Sequence, residues 1–580
     1  MKIETLRHSL AHILASAVKE LYPGTKFGIG PTIEQGFYYD FEFGKTDERG
    51  LKRGLTRITF DDLPKIETKM KELIKKNIKF EKRVISKEKS KKIFQDQPYK
   101  LELINEISQE TVSIYKSGDF IDLCRGPHVK STKEINPLAF KLTKIAGAYW
   151  RGSEKNPMLT RIYGIAFRNK TELENYLQKQ TEIEERDHRK TGEQLDLFSF
   201  HPEAPNIPFF HPKGKIIYNL LMEFWREIQK KYNYQEIQAP NILDVSVWKQ
   251  SGHWDHFKDD MFFVRTRERE WGLRPMDCPG AILIYKTRIR SYKELPLRFS
   301  EPGTIFRHER SGTLIGLFRA YQFAQDDAHI FLSQEQIFEE IKKIMELIDE
   351  IYQVFNLDYK IFLSTRPKDF MGEVKTWNKA EKDLKETLKS SKKDFQINPG
   401  DGAFYGPKID FRFKDSLGRE WQCGTIQLDF QMPEKFNLEY VGRDGKKHRP
   451  IIIHRTIMGS FERFIGILIE HFGGNLPLWL SPVQVLIIPL SLRYIKPSQK
   501  LVKILRKENI RCELDDSSET VSYKIRKAEK MKTPYMLVIG EKEVSLLSLT
   551  VRTRGQKKTK KIPLTRFLKN LKTEIEKKKI

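Results

Sequence analysis

The stretch EPGTIFRHERSGTLIGLFRAYQFAQDDAHIF, residues 301 to 331, constrains the fold more than any other part of this chain. It reads as a turn signal at Pro302-Gly303, an extended apolar run, a basic loop holding Gly312 and Gly316, and a second extended run. Side chains alternate across a strand with period two, so Arg307 and Glu309 fall on one face of the first run. Gln325, Asp327 and His329 fall on one face of the second by the same rule. Pairing the two runs converges an arginine suited to phosphate with a glutamate, an aspartate and a histidine. A solvated hairpin is the ordinary fate of scattered charges. Here the polar residues interrupt apolar strands on one face only.

The length of 580 residues suggests three or four domains, at about 150 residues each. A hydrophobic content of 39% is enough to build cores. No run of 18 apolar residues occurs and MKIETLRHSLAH has no secretory pattern, which predicts a soluble cytoplasmic protein with no membrane partner. Cys124, Cys278, Cys423 and Cys512 lie far apart and make no disulfide framework. The net charge of +26 favours a polyanionic partner, because cationic side chains release counterions from a phosphate backbone. A lysine-rich composition also serves solubility, so charge supports nucleic acid only modestly. A GxxxxGK[ST] loop is absent, so a nucleotide site must use another architecture.

Leu6, Leu10, Ile13 and Val18 at helical spacing predict a helix over 3–21, stopped by Pro23-Gly24. His8 and His12, four apart, share one face of it. FGIGP and GFYYDFEF read as short strands, and the lysine-rich stretches 65–76 and 87–94 as basic surface helices with a solvated face. Cys124 and His128 are again four apart, in the Gly-Pro turn of DLCRGPHV. The two pairs together offer a zinc set of one cysteine and three histidines, although a lone helical histidine is usually a capped or core residue. Residues 171–191 are charged and periodic with no core-sized apolar face, which reads as a linker helix. A helix over 216–230 and a strand at YQEIQAP follow. His253, Trp254 and His256 read as packing residues. Cys278 sits just before a helix starting near Gly280, whose N-terminus stabilises a thiolate; a small buried residue is the alternative. NPGDGAFYGPKIDFRF and REWQCGTIQLDF read as adjacent strands, and IIIHRTIMGSFERFIGILIEHFGG as a buried strand running into an apolar helix, with His454 at the junction. Beyond 481, VQVLIIPL and YMLVIG read as buried parallel strands with helices between or beside them.

FRHE resembles motif 2 of the class II aminoacyl-tRNA synthetases, and QDDAHIF is similar to the form found in threonyl-tRNA synthetases. HSLAH, GFYYDF, CRGPHV and KLTKIAGAYWRGSEKNPMLTRIYGIAF resemble the editing domain of the bacterial-type members. The region of YQEIQAP resembles motif 1, GSFERFIGILIE motif 3, and WLSPVQVLIIP with ELDDSSETVSYKIRKAEKMKTPYMLVIGEKE an anticodon-binding domain. The resemblance spans essentially the full chain, with its motifs in order. It implies an α+β and α/β multidomain protein: an α+β editing domain over 1–170, a linker helix over 171–194, a class II antiparallel-sheet catalytic domain over 195–480, and an α/β anticodon-binding domain over 481–580.

The same resemblance implies that threonine and ATP with Mg²⁺ give threonyl-adenylate, and that the threonyl group passes to tRNA(Thr), in a homodimer built through motif 1. Arg307, Glu309 and Arg463 match the catalytic positions; the two arginines face the charge that develops at the α-phosphate. Glu309 addresses the adenine side, Phe323 stacks on the base, and Arg319 adds a phosphate contact. Asp327 receives the substrate amine, with Gln325, Tyr405, Lys408, Gln422 and Gln427 around it. Cys278, His329 and His454 match the ligands of one Zn²⁺ per subunit. An apolar pocket separates a hydroxyl from a methyl poorly, whereas a metal with an open position takes threonine's amine and hydroxyl and only valine's amine. Serine carries both groups and differs by one methyl, worth roughly 1–3 kcal/mol, so a hydrolytic site is the remedy. His8, His12, Cys124 and His128 match that editing site, with Asp122 and Tyr39 as neighbours and Lys100 as a weaker match. Many members carry a further small domain ahead of the editing domain, where this chain starts directly at HSLAH, and Ile315 and Tyr321 stand where many have a histidine and an arginine. The basic end RTRGQKKTKKIPLTRFLKNLKTEIEKKKI reads as a tRNA contact or a solvated tail. The alternatives are a non-catalytic tRNA-binding paralogue and a prolyl or seryl enzyme.

Overall fold

The apolar stripe near the N-terminus forms helix α1, Ile3–Leu21, whose Leu10, Ile13, Leu14 and Val18 are buried. In this computed structural model the described residues are 2–43, 58–391 and 393–580. They form two compact units, Met1–Thr181 and Glu182–Ile580.

In the first unit α1 shares a core with Phe37 and Phe41 of strand β1, Gly36–Glu42. Helix α2, Leu63–Lys75, is the basic surface helix expected, with its lysines outside and Ile66, Met70 and Leu73 buried in that core. A second sheet includes β2, Thr111–Ser117, paired antiparallel with β3, Phe120–Leu123. In the first sheet β4, Phe140–Tyr149, pairs with β5, Met158–Ala166, which pairs in turn with β1. Of FGIGP only Phe27 lies in a strand, Lys26–Phe27. Leaving β3, the chain enters the Cys124–His128 turn. Gly126 there has φ 76°, and a Cβ on it would meet the Tyr115 hydroxyl at 2.3 Å.

The linker helix expected over 171–194 is two helices. Lys170–Arg186 ends where Asp187 leaves helical geometry and accepts the Arg189 N–H at 2.8 Å, capping a new helix α3, His188–Gln194. The second helix is not solvated: it buries His188, Thr191 and Gly192.

The second unit is organised by an eight-stranded, mainly antiparallel sheet. Its order is Gln235–Glu236, β6 (Leu297–Phe306), β7 (Gln322–Leu332), β11 (Ile451–Thr456), β10 (Glu420–Asp429), β9 (Lys408–Lys414), β8 (Tyr359–Ser364) and Phe395–Asn398. Ile330, Ile426, Leu428 and Ile453 face one side and share a core with helices Pro212–Lys231 and Ile337–Val354. Alternation turns Asp327, His329, Gln427 and His454 to the other side. Helix α4, Cys278–Tyr285, packs on that side, whereas α5, Phe461–His471, buries its apolar face in the first core and brings Arg463 to the cavity.

Two local expectations give way here. Pro302 and Gly303 lie within β6, opposite Asp326 and Gln325. Asp326 donates its N–H to Gly459 O at 3.2 Å, so Pro302 sits at a position where it loses no ladder bond. Gly303 is needed for close approach: a Cβ would lie 2.3 Å from the Asp277 carboxylate. Arg307 and Glu309 fall just past the end of β6, where the His308 N–H is drawn to Asp260 O at 2.7 Å.

Further along, β12 (Val485–Pro489) and β13 (Tyr535–Ile539) are parallel neighbours, as predicted. The basic C-terminal stretch is no solvated tail. β14, Ser548–Thr553, and β15, Thr559–Pro563, form a hairpin and α6, Leu564–Glu576, follows; Leu549, Val551, Phe567 and Leu571 enter the core and the lysines stay outside. The four cysteines are free thiols, and among the described residues no helix is long and apolar enough to cross a membrane.

Candidate active sites

The register of three strands builds the first site. β7 sets His329 directly opposite His454 of β11, and His454 directly opposite Gln427 of β10. Cross-strand neighbours on one face lie about 5 Å apart, and the two imidazole centroids are 4.9 Å apart. α4 begins at Cys278 and brings its thiol to them, so that the three donor atoms lie within 4.8 Å of one another. They line a cavity of about 670 Å³. Every residue of this unit matched from the sequence to the catalytic, substrate or metal positions lines that cavity except Lys408. Lys408 is opposite Gln427 but one strand farther out, where Asp410 at 3.2 Å and Asp401 at 3.5 Å hold its ammonium.

His454 Nε2 donates to the Asp429 carboxylate, 2.9 Å away, while its buried Nδ1 has no hydrogen-bond partner among the described residues. A carboxylate on one ring nitrogen and an open second nitrogen is the arrangement of a ligating imidazole. His454 lies inside β11, not at a junction, because the strand continues to Thr456. The helix N-terminus at Cys278 does not win either. Burial pushes the thiol well up, with Asp327, Asp277 and Asp429 adding to it. Burial holds His329 well below the usual imidazole range.

Cations border the cavity. The Arg307 guanidinium lies over Phe323 at 5.4 Å and Phe257 at 5.8 Å, with Nε donating to Pro275 O at 3.1 Å. Arg463, on α5, lies 5.5 Å from the Trp421 ring centroid, and its buried Nε has no hydrogen-bond partner among the described residues. Glu309 and Arg319 pair with each other at 2.7 Å, and the Tyr405 hydroxyl donates to Gln427. Ile315 is exposed, and Tyr321 stacks on His308 at 5.8 Å. Met276, Trp421 and Ser460 also line the cavity and carried no sequence signal. A bulge at Cys423, where Phe411 and Arg412 oppose Gly424 and Gln422, turns Gln422 to the face of Gln427; Trp421, opposite core-facing Phe413, also lines the cavity. His253, buried, contacts Ser251 at 2.7 Å and acts in packing.

The first unit carries the second site. His8 and His12 of α1 meet Cys124 and His128 of the turn, all four donors within 4.8 Å. Hydrogen bonds fix the tautomers. Ser9 Oγ gives its proton to Thr5 O and accepts from the Val129 N–H, so His128 Nδ1, 3.2 Å away, is the donor. His8 Nδ1 donates to Pro127 O at 3.2 Å. Both Nε2 lone pairs therefore face Cys124 Sγ, each at 3.3 Å. Burial raises the Cys124 thiol to about 11 and lowers His8, His12 and His128. Asp122 lies behind them, accepting from the Tyr39 hydroxyl at 2.7 Å, paired with buried Lys100, and 3.6 Å from His12. Ser9 was not legible as a site residue, since it lies between the histidine spacings.

Comparison with known proteins locates these sites in a family. Residues 262–472 match the tRNA synthetase class II core domain (G, H, P, S and T), residues 484–574 the anticodon binding domain, and residues 112–163 the threonyl and alanyl tRNA synthetase second additional domain. The threonine–tRNA ligase of Thermotoga neapolitana is 51% identical over 580 residues, 100% of this chain and 89% of that protein. That of Clostridium tetani is 50% identical over 576 residues, 99% of this chain and 88% of that protein. The crystal structure of the RNA binding domain of threonyl-tRNA synthetase from Cryptosporidium parvum superposes with a TM-score of 0.65 at 40% identity, covering 67% of this chain and 98% of that one. A prolyl-tRNA synthetase from the same organism, 16% identical with a TM-score of 0.54, shares the fold alone. With its class II core, its anticodon-binding and editing domains, and half its residues identical over its full length to such enzymes, the chain belongs to the threonine–tRNA ligase family.

Proposed function

We propose that the cavity on the eight-stranded sheet joins threonine to ATP and then to tRNA(Thr), and that the His–Cys pocket of the first unit hydrolyses seryl-tRNA(Thr). The convergence of Cys278, His329 and His454 on a cavity bordered by Arg307, Asp327 and Arg463 carries this reading. The threonine carboxylate attacks the α-phosphorus, the bond to the β-phosphate oxygen breaks, and pyrophosphate leaves with Mg²⁺. Arg307 and Arg463 stabilise the charge developing on the α-phosphate. Phe323 stacks on the adenine, with Glu309 and Arg319 at the nucleotide's edge, and Asp327 takes the substrate ammonium. A ribose hydroxyl of the tRNA end then attacks the acyl carbon and AMP leaves.

One zinc ion per subunit fits the triad. A thiol and two imidazoles suit zinc and not magnesium, which prefers oxygen, and the unpartnered His454 Nδ1 with Asp429 on its Nε2 supplies the supporting shell. Bound there, zinc supplies a Lewis acid for an amine and a hydroxyl together, the pair that threonine has and valine lacks. Tyr405 and Gln427 are held by each other beside it.

In the first unit, the two Nε2 lone pairs facing Cys124 supply bases for water, and Asp122 and Lys100 fix the polar wall behind. This pocket's overlap with the additional-domain match at residues 112–163 favours hydrolysis over a second metal centre. Domains over 1–170, 171–194, 195–480 and 481–580, a homodimer through the motif 1 region, and a cytoplasmic location complete the proposal. Threonine-dependent exchange of pyrophosphate into ATP tests it; exchange driven equally by valine, or by proline or serine in preference, would sink it.

A further inference from the structure

His188 opens helix α3, in the stretch that the sequence presents as a solvated linker. It is 1% exposed and belongs to neither candidate site. Its Nδ1 lies 2.7 Å from Glu470 Oε1, near the end of α5, and its backbone N–H donates to the same oxygen at 2.9 Å. Arg419 pairs with the other Glu470 oxygen. On the far side of the ring, Nε2 accepts the Leu317 N–H at 3.0 Å. A backbone N–H can only donate, so Nε2 carries the lone pair and Nδ1 carries the proton toward Glu470.

Leu317 belongs to the turn Gly316–Phe318, in the basic loop between β6 and β7. The turn is shaped to receive the ring. Gly316 has φ +48°, and a Cβ on it would lie 2.4 Å from His188 Nε2. The His188 and Phe318 ring centroids are 4.1 Å apart. Gly466 of α5 is open for the same reason, since a Cβ there would lie 2.9 Å from Phe318. Ile315, Leu317, Phe318 and Arg319 of this loop line the catalytic cavity.

We propose that His188 is a positioning residue for adenylate formation: clamped by Glu470, it pins the Leu317 N–H and so fixes the loop that forms the nucleotide side of the cavity. This rests on assigning the cavity to threonine activation. A loop carrying Arg319 and flanked by Phe323 acts on ATP, so loss of the pin weakens ATP use and leaves the threonine side intact.

Two substitutions separate the halves of the clamp. In H188Q the side-chain amide oxygen reaches the position of Nε2 and still accepts from Leu317. In H188N the amide reaches only the position of Nδ1, keeping Glu470 and abandoning the loop. Pyrophosphate exchange should show KM for ATP raised about tenfold in H188N, the scale of one buried N–H left without an acceptor. KM for threonine should stay within about twofold in both variants. H188Q should resemble the wild type throughout, and thermal unfolding should be alike in the two. Equal losses in both variants, equal effects on ATP and threonine, or wild-type kinetics in H188N would each overturn the proposal. Should H188N fail to fold, Gly316→Ala displaces the same contact from the loop side and must give the same ATP-selective signature. A wild type without threonine-dependent exchange would instead remove the assignment of the cavity itself.

Discussion

The Ser9 hydroxyl lies 3.2 Å from His128 Nδ1 and decides which nitrogen of that ring carries its proton. The base that faces Cys124 is thus set by a neighbour with no chemistry of its own. Cys124→Ala should leave threonine-dependent exchange near normal while seryl-tRNA accumulates. Ser9→Ala strands the Val129 N–H and frees the His128 tautomer. Seryl-tRNA hydrolysis should fall about tenfold, again with exchange unchanged. Loss of exchange in C124A would place activation in the wrong unit.

Arg307 and Arg463 are expected to act on the transition state of adenylate formation. Alanine at either should lower kcat for exchange by about 10²-fold or more. A change confined to KM for ATP would show uniform binding only.

His329→Ala should reduce bound zinc and threonine activation together, leaving hydrolysis of supplied seryl-tRNA intact. Metal analysis of the wild type should find close to one zinc per chain. An active zinc-free preparation that still rejects valine would leave discrimination to hydrogen bonds accepted by Asp327.

Glu462 gives a stability test. Its buried carboxyl accepts the Ala324 N–H at 2.8 Å, and burial raises it from 4.5 to about 7. Between those values the folded protein holds a proton that the unfolded chain has released. The stabilisation is therefore complete below pH 4.5 and lost as pH rises through 7, by an amount of order 3 kcal/mol. Glu462→Gln keeps an oxygen for Ala324 and should flatten that slope. Urea midpoints at pH 5 and pH 8 check it; parallel slopes in the two proteins would count against the buried carboxyl.

Periodic features were open to sequence reasoning. α1 and the parallel pair β12–β13 follow directly from apolar spacing, as does the common face of Gln325, Asp327 and His329. Features set by tertiary neighbours were not. Cys278, His329 and His454 are joined only by strand register and the start of α4, so the family resemblance, not spacing, pointed to them. Trp421 stands opposite core-facing Phe413, so alternation gave it no place in the cavity, and Pro302 mimicked a turn because its unpaired position depends on Asp326 turning to Gly459. His188 looked solvated because charged neighbours surround it in sequence, while Glu470 and Leu317 bury it in space.

Phe299, His329, His454, Gln427, Lys408 and Ser364 form one straight row across six strands. A slip of β11 by one residue would place Ile453 or Arg455 in that row and turn His454 toward the helices. Such a chain has no complete triad to offer a cation. Ion capture stabilises only the properly aligned sheet, by RT ln(1 + [L]/Kd). The donor set proposed to sort amino acids would therefore also select the correctly aligned sheet that holds it.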